Sequence, residues 1–236
     1  MVMPLWDDSP LQLPKWPVVT WALLVANILV FIVQSAASPA MSAAFEAYAM
    51  TPAAVTGALI VSNGPSPYLT LVSSTFLHAD IFHLLGNMIF LWVFGDDVEE
   101  AMGPLRFLVF YFGSGVAAAL AFVAAAPHST IPLIGASGAI AGVLAGYLMF
   151  RPCQKVLVFI PYFILWFVLR PVARLDAYWV LGGWAVIQLW HISVQSHDGV
   201  AYMAHIGGFA AGAILFPVLR YRTVRLFECI RAEAAP

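Results

Sequence analysis

The sequence predicts an all-α polytopic membrane protein, a bundle of six transmembrane helices with an interfacial outer loop after the first. Three observations predict it. Only 9% of the 236 residues are charged and 62% are hydrophobic, whereas a soluble domain carries about 25% charged residues. Six apolar runs come close to the roughly 20 residues that cross a bilayer. With six crossings, every basic residue falls on one side.

The runs are 18–37, 76–95, 105–126, 133–150, 177–194 and 200–219. The first is preceded by a leader, 1–17, that is rich in proline (Pro4, Pro10, Pro14, Pro17) and weakly charged, and it carries Asn27 and Gln34. It therefore reads as a retained helix rather than a cleavable signal. The loop 38–75 holds Phe45, Tyr48, Met50, Val55, Leu59, Ile60 and Val61, apolar enough to rest in the headgroup region. After the second run come Asp96, Asp97, Glu99 and Glu100 at a helix C-terminus, where the macrodipole disfavours anions. They read as a structural ion-pair cluster, with basic partners such as Arg106 expected nearby. A further apolar segment, 156–169, has Pro161 inside it and Lys155 and Arg170 at its ends. Too short to span, it reads as interfacial or re-entrant. The core is then 18–219, followed by a basic tail, 220–236.

Charge supports this count. Lys15, Arg106, Arg151, Lys155, Arg170, Arg174, Arg220, Arg222, Arg225 and Arg231 all fall on the side of the termini, and the opposite loops 38–75, 127–132 and 195–199 contain no Lys or Arg. By the positive-inside rule both termini are cytoplasmic, which implies a multi-pass protein of a bacterial plasma membrane. Cys153 and Cys229 then face a reducing compartment and are expected to be free thiols, too few for a zinc motif. Ten scattered basic residues and a net charge of -2 exclude a nucleic-acid surface, which needs a dense basic patch. No internal repeat is visible.

Ionisable residues inside spans are functional candidates by default. Here they are His78 and His83 on the second span, His191 on the fifth and His205 on the sixth. Without Asp, Glu, Lys or Arg among them, ion-coupled transport lacks its usual carriers. His83 and Asn87 are four apart and share one helical face. The fourth span opens with Gly135-Ala136-Ser137-Gly138, a serine in a glycine turn. Counted from Asp80, Thr130 and Asp198, His83, Ser137 and His205 lie about 5, 11 and 11 Å inside the outer surface. Small residues repeat every four positions at Gly138, Gly142 and Gly146 on the fourth span and at Ala204, Gly208 and Gly212 on the sixth. Such stripes let backbones approach closely, and facing stripes bring Ser137 within reach of His205 as a nucleophile with its general base. No carboxylate lies within the membrane to complete a triad, since Asp80 and Asp198 read as loop residues at the surface. His83, Asn87 and the Ser137 N–H are then the oxyanion donors.

H-A-D-I-F-H-L-L-G-N at 78–87, the acidic run with Gly103, G-A-S-G-A at 135–139 and A-H-I-G-G at 204–208 together resemble the rhomboid intramembrane serine proteases, over about 18–219. The resemblance implies a six-helix rhomboid core that hydrolyses transmembrane substrates, single-pass or polytopic, within the lipid bilayer. Ser137 would be nucleophile and His205 base, with His83 and Asn87 at the oxyanion and His78 and Gly135 auxiliary. The fifth span and the loop 195–199 would form a movable gate and cap. No cofactor or metal is implied. One departure is that a Trp-Arg pair found in some members ahead of the histidine motif is Tyr68-Leu69-Thr70 here, which bears on loop anchoring.

Two other functions compete. An inactive relative would bind and escort membrane proteins, but such proteins lose the serine or the histidine, and both are kept here. A metal- or haem-binding bundle using His78, His83 and His205 would have no need of the glycine-flanked serine. Serine in a span is otherwise a common packing residue; Ser137 is set apart by a histidine at equal depth.

Overall fold

The computed structural model describes residues 3–8, 16–60, 64–160, 171–194 and 200–229. In chain order these form a strand β1 (Met3–Asp7) and helices α1 (Val18–Ser35), α2 (Pro39–Glu46), α3 (Pro52–Val55) and α4 (Pro67–Ser73). After a 3-10 turn at Ser74–Phe76 come α5 (Ile81–Met102), α6 (Pro104–Ala125) and α7 (Ser137–Phe150). Strands β2 (Lys155–Phe159) and β3 (Val172–Asp176) precede the last helices, α8 (Ala177–Ser193) and α9 (Tyr202–Leu219). Four helices, α1, α5, α6 and α9, are long and apolar enough to cross a membrane. α7 has 14 residues and α8 has 17.

The short α7 has a local cause. Its apolar run begins at 133, yet Leu133 is paired in a β-bridge with Met50 and Gly135 has φ +111°, a left-handed backbone that only glycine adopts readily. The helix therefore starts at Ser137. From Ala139 to Tyr147 every residue of α7 is buried, so α7 is the central helix, apolar on all faces because neighbours surround it.

Those neighbours approach through the glycines. A Cβ placed on Gly208 would collide with the Gly138 carbonyl, and one on Gly212 with the backbone of Gly142. The stripes of α7 and α9 thus meet backbone to backbone, and Gly138 packs against the Ala118 methyl of α6 at 2.6 Å from its own would-be Cβ. Close approach of this kind replaces the hydrophobic effect as the cohesive force between helices in lipid.

The ends of the helices carry the polar groups. Asp80 caps α5, its Oδ1 accepting from the N–H groups of Phe82 and His83 at 2.8 and 2.9 Å. Pro17 gives α1 no side-chain cap. Instead the Glu99 carboxylate on α5 accepts from Val19 N, Thr20 N and Thr20 Oγ1 at 3.0, 2.7 and 2.8 Å, where the positive end of the α1 dipole favours it. The acidic run belongs to the last turns of α5, as expected, but its basic partner is Arg151, 3.2 Å from Asp97 and 4.0 Å from Glu100. Arg106 instead donates to the Leu219 carbonyl at 3.3 Å and lies over the Tyr221 ring. The expectation for Arg106 is corrected because it sits on α6 beyond the reversal at Gly103 (φ +82°), facing the tail.

Three further expectations change. The chain is not all-α: β1, β2 and β3 form an antiparallel sheet in that order. Segment 156–169, expected to be interfacial or re-entrant, begins as a strand, with Val156 and Val158 buried in alternation as one strand face requires; positions 161–169 lie outside the described residues. The leader supplies β1, and Tyr147 of α7 donates a hydrogen bond to Asp7. Burial raises the Asp7 carboxyl above its ordinary value. Finally, Cys153 and Cys229 are joined in a disulfide, Cα atoms 5.1 Å apart, instead of being free. The tail folds back over the helix ends, Tyr221 N bonding Ala101 O at 2.9 Å and Phe227 N bonding Met149 O at 2.7 Å. That return brings together two positions 76 residues apart.

Candidate active site

Ser137 is the first residue of α7, and no side chain caps that helix start. Its first N–H groups therefore lack intrahelical acceptors and point, with the positive end of the dipole, to the space beside the serine. His205 lies in the first turn of α9. Its Nε2 is 2.9 Å from Ser137 Oγ, and its Nδ1 is 2.7 Å from the Gln188 Oε1 of α8. The Trp184 ring, one turn before Gln188, sits 5.8 Å from the imidazole at a tilt of 39°.

Across from this pair stands α5. A Cβ on Gly135 would lie 2.7 Å from the His83 Nε2 and 3.5 Å from the Asn87 Nδ2, so both side chains face the glycine turn ahead of Ser137. His83 Nδ1 accepts a long bond from Ala79 N at 3.5 Å, which leaves Nε2 to carry the proton and act as donor. Asn87 is 7% exposed and its Nδ2 has no partner among the described residues. Buried donors are almost always satisfied, so an unsatisfied one beside Ser137 leaves room for an acceptor there.

His78 is fully buried, its ring edge-on to His83 with centroids 5.1 Å apart. Its backbone is clamped by the Gln34 amide of α1 through bonds of 2.9 and 3.3 Å. It thus touches His83 without reaching Ser137. His191 is stacked on Tyr202 at 4.6 Å, outside the site. The loop 195–199, expected as a cap, lies outside the described residues. The loop that holds Tyr68-Leu69-Thr70 is tied down by backbone bonds, Met50 to Leu133 at 3.2 and 2.7 Å and Gly135 N to the Ser74 carbonyl at 2.9 Å. Among the described residues, no group of histidines, cysteines and carboxylates could hold a metal.

Gln188 and Trp184 also border the site, and neither is ionisable, so a search for ionisable groups in spans does not reach them. The available signal was a lone amide in the middle of an apolar run.

A serine hydrogen-bonded to a histidine at the mouth of a glycine-packed helix bundle defines a class of membrane-embedded protein with a serine–histidine pair. Residues 65–222 match the model of the Rhomboid domain, well over half of the chain, and the chain belongs to the rhomboid family. It is similar to the putative rhomboid protease YdcA of Bacillus subtilis (35% identity over 88 residues; 37% of this chain and 43% of the relative). It is also similar to the rhomboid protease GluP of Bacillus subtilis (38% over 78 residues; 33% and 15%). The mitochondrial Rhomboid protein 1 of Saccharomyces cerevisiae matches at 31% over 96 residues (39% and 28%). The chain covers less than half the length of each of these relatives.

Proposed function

We propose that this chain is an intramembrane serine endopeptidase that cuts transmembrane proteins near the outer end of their spans. The observation that carries the reading is the 2.9 Å contact of Ser137 Oγ with His205 Nε2 at the start of a buried helix. In this mechanism Ser137 Oγ attacks the scissile carbonyl carbon as its proton passes to His205 Nε2. The negative charge that develops on the carbonyl oxygen is received by the Ser137 N–H, His83 Nε2–H and Asn87 Nδ2–H. The imidazolium then gives its proton to the departing amine. In the second half His205 takes a proton from water, which attacks the acyl-enzyme and frees Ser137.

The six-span reading assigns α7 and α8 as crossings alongside the four longer helices, and the bias of basic residues puts the termini in the cytoplasm. The dyad then opens toward the outer leaflet, where water reaches it. A substrate helix hides each carbonyl in an intrahelical bond, so it must unwind locally before attack. Glycine lowers that cost by about 1 kcal/mol per residue and proline by more. The preferred substrates therefore carry such residues at the outer end of the span.

The test is cleavage of a model type I membrane protein by purified enzyme, with the products mapped by mass spectrometry. Wild type should cut in the outer half of the span and Ser137→Ala should not cut at all. Substantial proteolysis by Ser137→Ala would refute the reading.

A further inference from the structure

Among the described residues no carboxylate stands behind the pair, yet the imidazole is held from behind. Gln188 is 4% exposed. Its Oε1 lies 2.7 Å from His205 Nδ1, and its Nε2 donates to the Trp184 carbonyl at 3.4 Å. We propose that Gln188 is the positioning residue of the general base, fixing both the tautomer and the aim of His205; this rests on the serine–histidine reading above.

An amide oxygen only accepts, so His205 Nδ1 must be the donor of that bond. A neutral imidazole has a single N–H, so Nε2 is left with its lone pair, facing the Ser137 hydroxyl that donates to it. The amide cannot be turned over without loss. Reversal would set its oxygen against the Trp184 carbonyl, acceptor to acceptor, and its NH2 against Nδ1. That would force the other tautomer, with Nε2–H pointing at Ser137 and unable to take the serine proton. Amide orientation, tautomer and competence of the base are one linked choice.

The same bond strengthens during reaction, because Nδ1–H becomes a charged donor when the imidazolium forms. A neutral acceptor does this without the cost of an ionised carboxylate inside a span. Trp184 and Gln188 are one turn apart on α8, so one face of that helix supplies both the ring beside the imidazole and the acceptor behind it. His83 of α5 and Tyr202 of α9 are the other titratable groups bearing on the ring. The base is complete only while α8 lies against α9.

The experiment compares wild type, Gln188→Leu, Gln188→Glu and Ser137→Ala on the model substrate, measuring kcat, KM, pH–rate profile and thermal midpoint. Gln188→Leu should lower kcat by roughly 10- to 100-fold with KM little changed, since it removes an interaction of the base and not of the substrate. Gln188→Glu restores an acceptor at Nδ1 and should recover most of the activity. A carboxylate there favours the imidazolium, so its acid limb should move to higher pH. Wild-type kcat in folded Gln188→Leu would overturn the proposal. Should Gln188→Leu fail to fold, the Gln188→Glu limb decides: a limb at the wild-type position overturns it. An active Ser137→Ala would remove the protease reading itself, a separate failure.

Discussion

Asn87 holds a buried amide donor that nothing among the described residues accepts, and in the proposed mechanism it faces the peptide oxygen that becomes an anion. Its worth should show in the transition state more than in the ground state. Asn87→Ala is expected to lower kcat by about 10²- to 10³-fold with a small change in KM, the usual effect of deleting one oxyanion donor. Steady-state kinetics on the model substrate check this, and unchanged turnover would return Asn87 to a packing role. Ser137, His205, His83 and Asn87 were legible in the sequence because each departs sharply from an apolar background and each sits beside a glycine or a helical partner. Gln188 was not. It is uncharged, and nothing in its spacing says that it points at a histidine on another helix 17 positions later.

At the scale of elements, the glycine stripes set how near α7 and α9 can come. Gly212→Ala would put a methyl into the Gly142 backbone, whereas a Cβ on Gly182 of α8 meets nothing within 4 Å. Overpacking typically costs about 1–3 kcal/mol, so Gly212→Ala should melt well below wild type and Gly182→Ala close to it. Thermal unfolding of the two purified variants makes the comparison, and equal midpoints would mean that the stripe does not govern packing. Long helices were legible from apolar runs alone. The sheet was not, since β1 is five residues in a proline-rich leader and its partner β2 lies about 150 positions further on. Nor was the start of α7, because the run of apolar residues continues through Leu133 while the backbone there is engaged with Met50.

For the whole molecule, the active pair lies at one end of the bundle, at the N-terminal ends of α7 and α9, and the acidic run, the sheet and the folded tail gather at the other. In the proposed topology this second end is cytoplasmic, so a reporter fused after Pro236 should read out as cytoplasmic; an extracytoplasmic signal would reverse the orientation. The Cys153–Cys229 disulfide lies at that same end. Proximity of the two thiols follows from the return of the tail, which their spacing in the sequence does not reveal; the expectation of free thiols rested on a reducing compartment, and the disulfide departs from it. If Ser137 is a nucleophile activated by His205, a serine-directed covalent label should find it. Intact, membrane-reconstituted protein treated with a fluorophosphonate should gain one adduct, located to the Ser137 peptide by mass spectrometry, and His205→Ala should gain none under the same conditions. Labelling at any other residue in place of Ser137, or undiminished labelling of His205→Ala, would contradict it.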